Sequence, residues 1–202
     1  MEATIRTLNG SSLTLLGDNE GMGLVAQGHA KYYEAVRRGS VFSGGTAATG
    51  VAPGTAIGTT AAFSLHNPLG SGKYLVVLRA SMGYVSGTLG AGVIHYLANI
   101  DTQLARPSGT AITARNVLLG SNAAAVAMPL TTATIASPLI LRPFVSLGAS
   151  LATTAVQPWQ IVEDVDGEFV VGPGATLSLH GTAAAGTSPL VVFGMTWEEV
   201  SI

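Results

Sequence analysis

The residues of this chain whose types are suited to chemistry are four histidines, one acidic cluster and two glycine-rich stretches. His29, His66, His95 and His180 lie far apart, never at the short spacing of metal-ligand pairs, and each reads as a strand or loop histidine. Glu163, Asp164, Asp166 and Glu168 form the acidic cluster. Asp164-x-Asp166-Gly167 has a trace of calcium-loop spacing, but the downstream bidentate Glu is lacking. A tight Asp166-Gly167 hairpin turn accounts for the same residues. Paired carboxylates for glycoside cleavage would need cleft aromatics beside them, and none stand nearby. Gly70-Ser71-Gly72-Lys73 looks like the end of a phosphate loop, yet Asn67 stands where its first glycine belongs and Tyr74 where the metal-holding hydroxyl belongs. That stretch reads as a hairpin turn. Gly21-Met22-Gly23 with Ala26 is an incomplete dinucleotide fingerprint without a βαβ context. Serines are plentiful, but no Gly-x-Ser-x-Gly elbow occurs. No catalytic residue, cofactor or metal site is expected, and the reading argues against an enzyme.

These residues sit in an unusual background. Gly, Ala, Thr and Ser make up 92 of 202 residues, whereas Asp, Glu, Lys and Arg supply only 20. Net charge is -2, which removes the long-range attraction to phosphate that nucleic-acid binders use. Cysteine is absent, excluding disulfides and thiolate chemistry together. Val, Ile, Leu and Phe total 55 residues, enough for a core. The uncharged runs 80–100 and 143–162 reach membrane-spanning length but are broken by Gly, Ser, Thr or Pro, so no membrane helix is expected. Glu2 and the lack of an apolar segment behind it give no secretory signal.

Helical periodicity is nearly absent, and turn residues recur at strand spacing. Strands are expected at 62–66, 73–84, 92–99, 111–118, 139–147, 159–163, 168–171, 175–181 and 190–200. In the strand at 175–181, Leu177 and Leu179 point one way and Thr176, Ser178 and His180 the other, which predicts one buried face. The strand at 190–200 is apolar on both faces, predicting a central position covered on both sides, with Gly194 admitting a bend or close neighbour. Residues 44–61 carry no charge and read as a long loop or packed β-arch. The expected fold is an all-β antiparallel sandwich or jelly roll, with a body at 39–202 and an extended N-terminal arm at 1–38.

Charge is segregated along the chain. All nine basic residues fall within 1–142, alongside five acids, whereas 143–202 holds six acids and no base. The two parts attract, either within one chain or between subunits. Most of the twelve aromatics fall in strand candidates and read as core; a sugar-stacking platform at Trp159 or at Tyr32 and Tyr33 is the alternative.

Three stretches, KYYEAVRRGSVFSGGTAATGVAPGTA, FSLHNPLGSGKYLVVLRASMGYVSGTLGAG and TLSLHGTAAAGTSPLVVFGMTWEEV, resemble structural proteins of tailed bacteriophages, in the group of capsid cement or decoration proteins with a jelly-roll trimer. The resemblance is one of pattern over roughly residues 28–202 and brings no site residues with it. It implies a homotrimer, made in the bacterial cytoplasm, that sits on the capsid surface and stabilises the head by contacts with the major capsid protein. A tail or fibre module binding host glycan is the alternative. Scarcity of charge points the same way, because so polar-poor a surface is suited to being covered by protein. Tyr32, Tyr33, Arg37 and Arg38 are the candidate subunit or capsid contacts.

Overall fold

The computed structural model describes residues 2–6, 12–16, 30–99, 106–147, 160–182 and 187–202. The chain divides into two units, Met1–Glu34 and Ala35–Ile202. In the first, β1 (Glu2–Arg6) and β2 (Ser12–Leu16) pair antiparallel, with Glu2 opposite Leu16 and Arg6 opposite Ser12. The N-terminal segment thus contains paired strands, built from Thr4-Ile5 and Leu13-Thr14-Leu15, where an extended arm was expected. A single helical turn, α1 (Tyr33–Arg37), follows.

The second unit is an antiparallel sandwich. Its long strands are β3 (Val41–Gly45), β4 (Thr60–His66), β5 (Lys73–Ser86), β6 (Gly92–Asn99), β10 (Pro138–Leu147), β11 (Gln160–Asp164), β13 (Thr176–Gly181) and β14 (Leu190–Ser201). One sheet runs β10-β6-β13-β4 and the other β11-β5-β14-β3. Followed in order, the chain places β3 in the second sheet, β4 in the first, β5 in the second and β6 in the first, then returns along the same path, which is jelly-roll topology. The segment between β6 and β10 adds β7 (Thr110–Ala111) and β9 (Met128–Thr134) beside β4, and β8 (Arg115–Asn116) beside β3. The short β12 (Val170–Val171) pairs with β5 beyond β11.

Alternating side chains from the two sheets meet in one core. Phe63, Leu65, Tyr96, Leu177 and Leu179 face Phe42, Leu75, Met82, Phe193, Met195 and Trp197. Phe42 and Trp197 stack with ring centroids 6.4 Å apart. Glu199, inside the same region, holds the segment before β9: its carboxylate accepts from Val126 N at 3.0 Å and Ala127 N at 3.0 Å. Trp197 Nε1 donates to it as well, at 3.3 Å.

Several expectations need correction. The 111–118 strand is two fragments, β7 and β8, split between the sheets. The turn at Pro68–Ser71, closed by Ser71 N donating to Pro68 O at 3.1 Å, is an arch between sheets and not a hairpin, because β4 and β5 do not pair. Asp166-Gly167 forms a tight turn with φ of 54° and 87°, the left-handed pair that Asp-Gly favours. The chain does not reverse there: β11 and β12 both run antiparallel to β5, so the turn loops residues out of one interrupted edge strand. β13 is buried on both faces, since it lies centrally between β4 and β6 and its outward Thr176, Ser178 and His180 are covered as fully as its leucines. β14 is central as expected, but its outward Val192, Gly194, Thr196 and Glu198 are half-exposed. A side chain at Gly194 would meet Ser81 Oγ at 2.8 Å, the close neighbour anticipated.

Candidate functional site

The acidic cluster is taken apart by strand alternation. Asp164 points outward to Arg79, 2.7 Å from its Nε, while the adjacent Glu163 points the other way. There it meets Arg142 of β10, whose Nη1 lies 2.8 Å away and whose Nη2 lies 2.7 Å from Glu168. The Arg142 guanidinium also lies over the Tyr96 ring at 4.8 Å and the Phe169 ring at 5.1 Å. Tyr96 donates its hydroxyl to Glu163 at 2.9 Å. Burial, reinforced by the Glu163 charge, raises the Tyr96 phenol above its ordinary range, so it stays a donor. The hydrogen bond from Arg142 to Glu168 leads the effects that raise the guanidinium further. This cluster ties β6 and β10 of one sheet to β11 and the β11–β12 turn of the other. It is a clasp whose acids face an arginine, and among the described residues no group of three or more His, Cys, Asp or Glu side chains converges on one point.

Arg142 reaches the clasp through irregular backbone. β10 pairs with β6, but the register shifts between Ile140 and Arg142 and again between Pro143 and Val145. Extra residues in one strand re-aim side chains. Here they turn Arg142 inward and leave Leu139, Ile140 and Leu141 outward, 57%, 47% and 44% exposed. β10 is the outermost strand of its sheet among the described residues. Val162 on β11 and Val170 on β12 are similarly exposed on the corresponding edge of the other sheet. Leu141, Phe169 and Val170 line an open groove of about 290 Å³ there. Exposed apolar side chains thus stand on the outer strands of both sheets, at the end where Arg142 joins them.

The candidate contact residues lie elsewhere. Tyr33 is exposed, and Lys31 Nζ stands 5.4 Å from the centre of the Tyr32 ring. Arg37 ends α1, and Arg38 reaches Glu198 of β14 at 3.7 Å. Ser40 Oγ lies 3.0 Å from Ala35 O and 3.1 Å from Glu198 Oε1, fixing the end of the helical turn to the body. His29, Trp159 and the Gly21-Met22-Gly23 stretch lie outside the described residues.

A polar row missed in the sequence runs across the outer face of the β10-β6-β13-β4 sheet. Ser64 stands opposite Ser178, His66 opposite Thr176, and His180 opposite His95. Ser64, His66, Thr176, Ser178 and His180 are all 0–1% exposed. His66 Nδ1 lies 2.9 Å from Thr176 Oγ1. Burial lowers the His66 pKa, opposed by its hydrogen bond to the Ala175 backbone carbonyl and reinforced by the Arg106 charge. Burial also pushes His180 down to about 4. Period-two alternation within each strand put these residues on one face, but only strand register, which a single sequence does not reveal, makes His95 and His180 neighbours.

No helix among the described residues is long and apolar enough to cross a membrane. Comparison with known proteins finds no matching family model, no matching curated sequence and no matching solved structure.

Proposed function

We propose that this chain is a structural protein of a tailed-phage virion, a decoration protein that assembles as a homotrimer and stabilises the head by binding the major capsid protein. The observation that carries the reading is the apolar edge formed by Leu139, Ile140, Leu141, Val162 and Val170 on a body with so few charges. Exposed apolar surface gathered in one place marks a protein contact. The same edge is guarded against indiscriminate strand pairing by Pro138, Pro143 and two register shifts, so it offers side chains in place of an open backbone ladder. That is what a specific, repeated contact between rigid subunits requires. A structural role also agrees with the enclosure of the hydroxyl–histidine pairs Thr176–His66 and Ser178–His180, which no substrate can reach in this conformation.

Purified protein should sediment as a trimer at micromolar concentration and bind capsid shells that lack it. A monomer that leaves such shells bare ends the proposal. Binding to a glycan array instead, with no binding to shells, assigns the chain to a host-recognition module.

A further inference from the structure

The Leu118-Leu119-Gly120-Ser121 turn holds an apolar side chain rigidly in solvent. Ser121 N donates to Leu118 O at 3.0 Å, and Gly120 takes a φ of 90°, as the third position of a type II turn requires. The residues leading into the turn are pinned to the body. Val117 N donates to Val41 O at 2.9 Å, Asn116 Nδ2 donates to Gly39 O at 2.7 Å, and Asn116 Oδ1 accepts from Leu118 N at 2.8 Å. Leu119 stands at the tip, 92% exposed, with Leu118 exposed beside it. A knob already fixed in place loses little freedom on docking.

The turn follows β8, at one end of the β11-β5-β14-β3-β8 sheet; β11 and β12, which share one side of β5, form the other end. The groove of about 290 Å³ lined by Leu141, Phe169 and Val170 lies at that other end, so knob and groove occupy opposite edges of one body. An apolar cavity of roughly 150 Å³ already takes a benzene ring, and the groove has room for a leucine side chain. Charge divides the same way. Arg115 of β8 is exposed, has no ion-pair partner among the described residues, and belongs to a stretch, 102–137, without a single acid. At the groove edge the four acids Glu163, Asp164, Asp166 and Glu168 stand against two arginines, Arg79 and Arg142, and Glu168 forms part of the groove wall.

We propose that the Leu118–Leu119 turn of one copy docks in the Leu141–Phe169–Val170 groove of the next, with Arg115 facing Glu168, and that three such contacts close the homotrimer. The contact rests on the homotrimeric reading and supplies its geometry. Unlike surfaces on opposite edges make a heterologous contact, which repeats head to tail and closes into a ring. A two-fold contact would set groove against groove, with like charges facing each other at a cost.

The chain has no cysteine, so two introduced thiols report only on each other. The test is treatment of full-length protein carrying Leu119→Cys and Val170→Cys, both at exposed positions, with a short bis-maleimide, followed by a denaturing gel. Linked dimers and trimers are expected. Each single variant alone should remain unlinked, and an equal mixture of the two should give dimers only. Leu119→Asp should weaken association at least about ten-fold, through loss of one buried leucine, with an unchanged urea midpoint because the side chain lies outside the core. Arg115→Glu should weaken it as well, and less so at high salt. Wild-type trimers that are untouched by Leu119→Asp, or that give no link between positions 119 and 170, overturn this contact while the trimer reading stands. Linking of Val170→Cys to itself assigns a two-fold contact and also overturns it, and a ladder running past three chains overturns ring closure. A wild-type monomer overturns both the contact and the trimer reading.

Discussion

Single side chains in this body are constrained less by their own polarity than by what stands opposite them. Gly181 is an example: an added Cβ would lie 2.5 Å from Pro53 O, where the 46–59 loop crosses the end of β13 and Gly181 N donates to Pro53 O at 2.7 Å. Gly181→Ala should therefore cost about 1–3 kcal/mol, as overpacking does, read as a lowered urea midpoint. An unchanged midpoint would mean that the loop moves aside without loss. Arg142 was recognisable in the sequence as the last basic residue before an all-acidic stretch, and its attraction to Glu163 and Glu168 follows from that. Its stacking over Tyr96 and Phe169 was not readable, because it depends on the register shifts on either side of it in β10. The histidine row was illegible for a related reason: Thr176, Ser178 and His180 look like a wetted face, but polarity describes a side chain and not its cover.

At the scale of elements, strands with strong alternation between turn residues were readable, and β6 matches its expected bounds of 92–99. β3, with sequence VFSGG, and β9, with MPLTTAT, were not, because Gly, Pro and repeated Thr read as turn or loop. Tertiary pairing with β14 and β4 makes strands of them. β10 combines both lessons. Its apolar residues announced a strand, and its prolines fit an edge position. Ile140→Lys places a charge on that edge outside the core. It should abolish self-association in sedimentation velocity while moving stability by no more than about 0.5 kcal/mol, the range for surface changes. Intact trimers from this variant would move the subunit contact away from β10.

For the whole molecule, part of the uneven distribution of charge is paired inside one chain. Arg38–Glu198, Arg79–Asp164, Arg142–Glu163 and Arg142–Glu168 each join a base from the first 142 residues to an acid from the remainder. Acid sensitivity rests on two other groups. Burial holds His66 below its ordinary value of 6.5 and His180 at about 4, so as pH falls through 6.5 the unfolded chain takes up protons that the folded chain refuses. Stability should be complete above about pH 7.5 and decline toward about pH 4, read as the urea midpoint, with His180→Asn flattening the decline more than His66→Asn. Equal slopes in all three proteins would assign the effect elsewhere. The topology has a further consequence for how the protein is made. The central strand β14 joins β3 to β5, so a chain arrested on the ribosome before Leu190 exposes two strands whose shared neighbour has not been synthesised. The two strands cannot be bridged until β14 has emerged, so the sandwich closes late through contacts distant in sequence, and slow closure of that kind leaves apolar strands open to aggregation until it is complete.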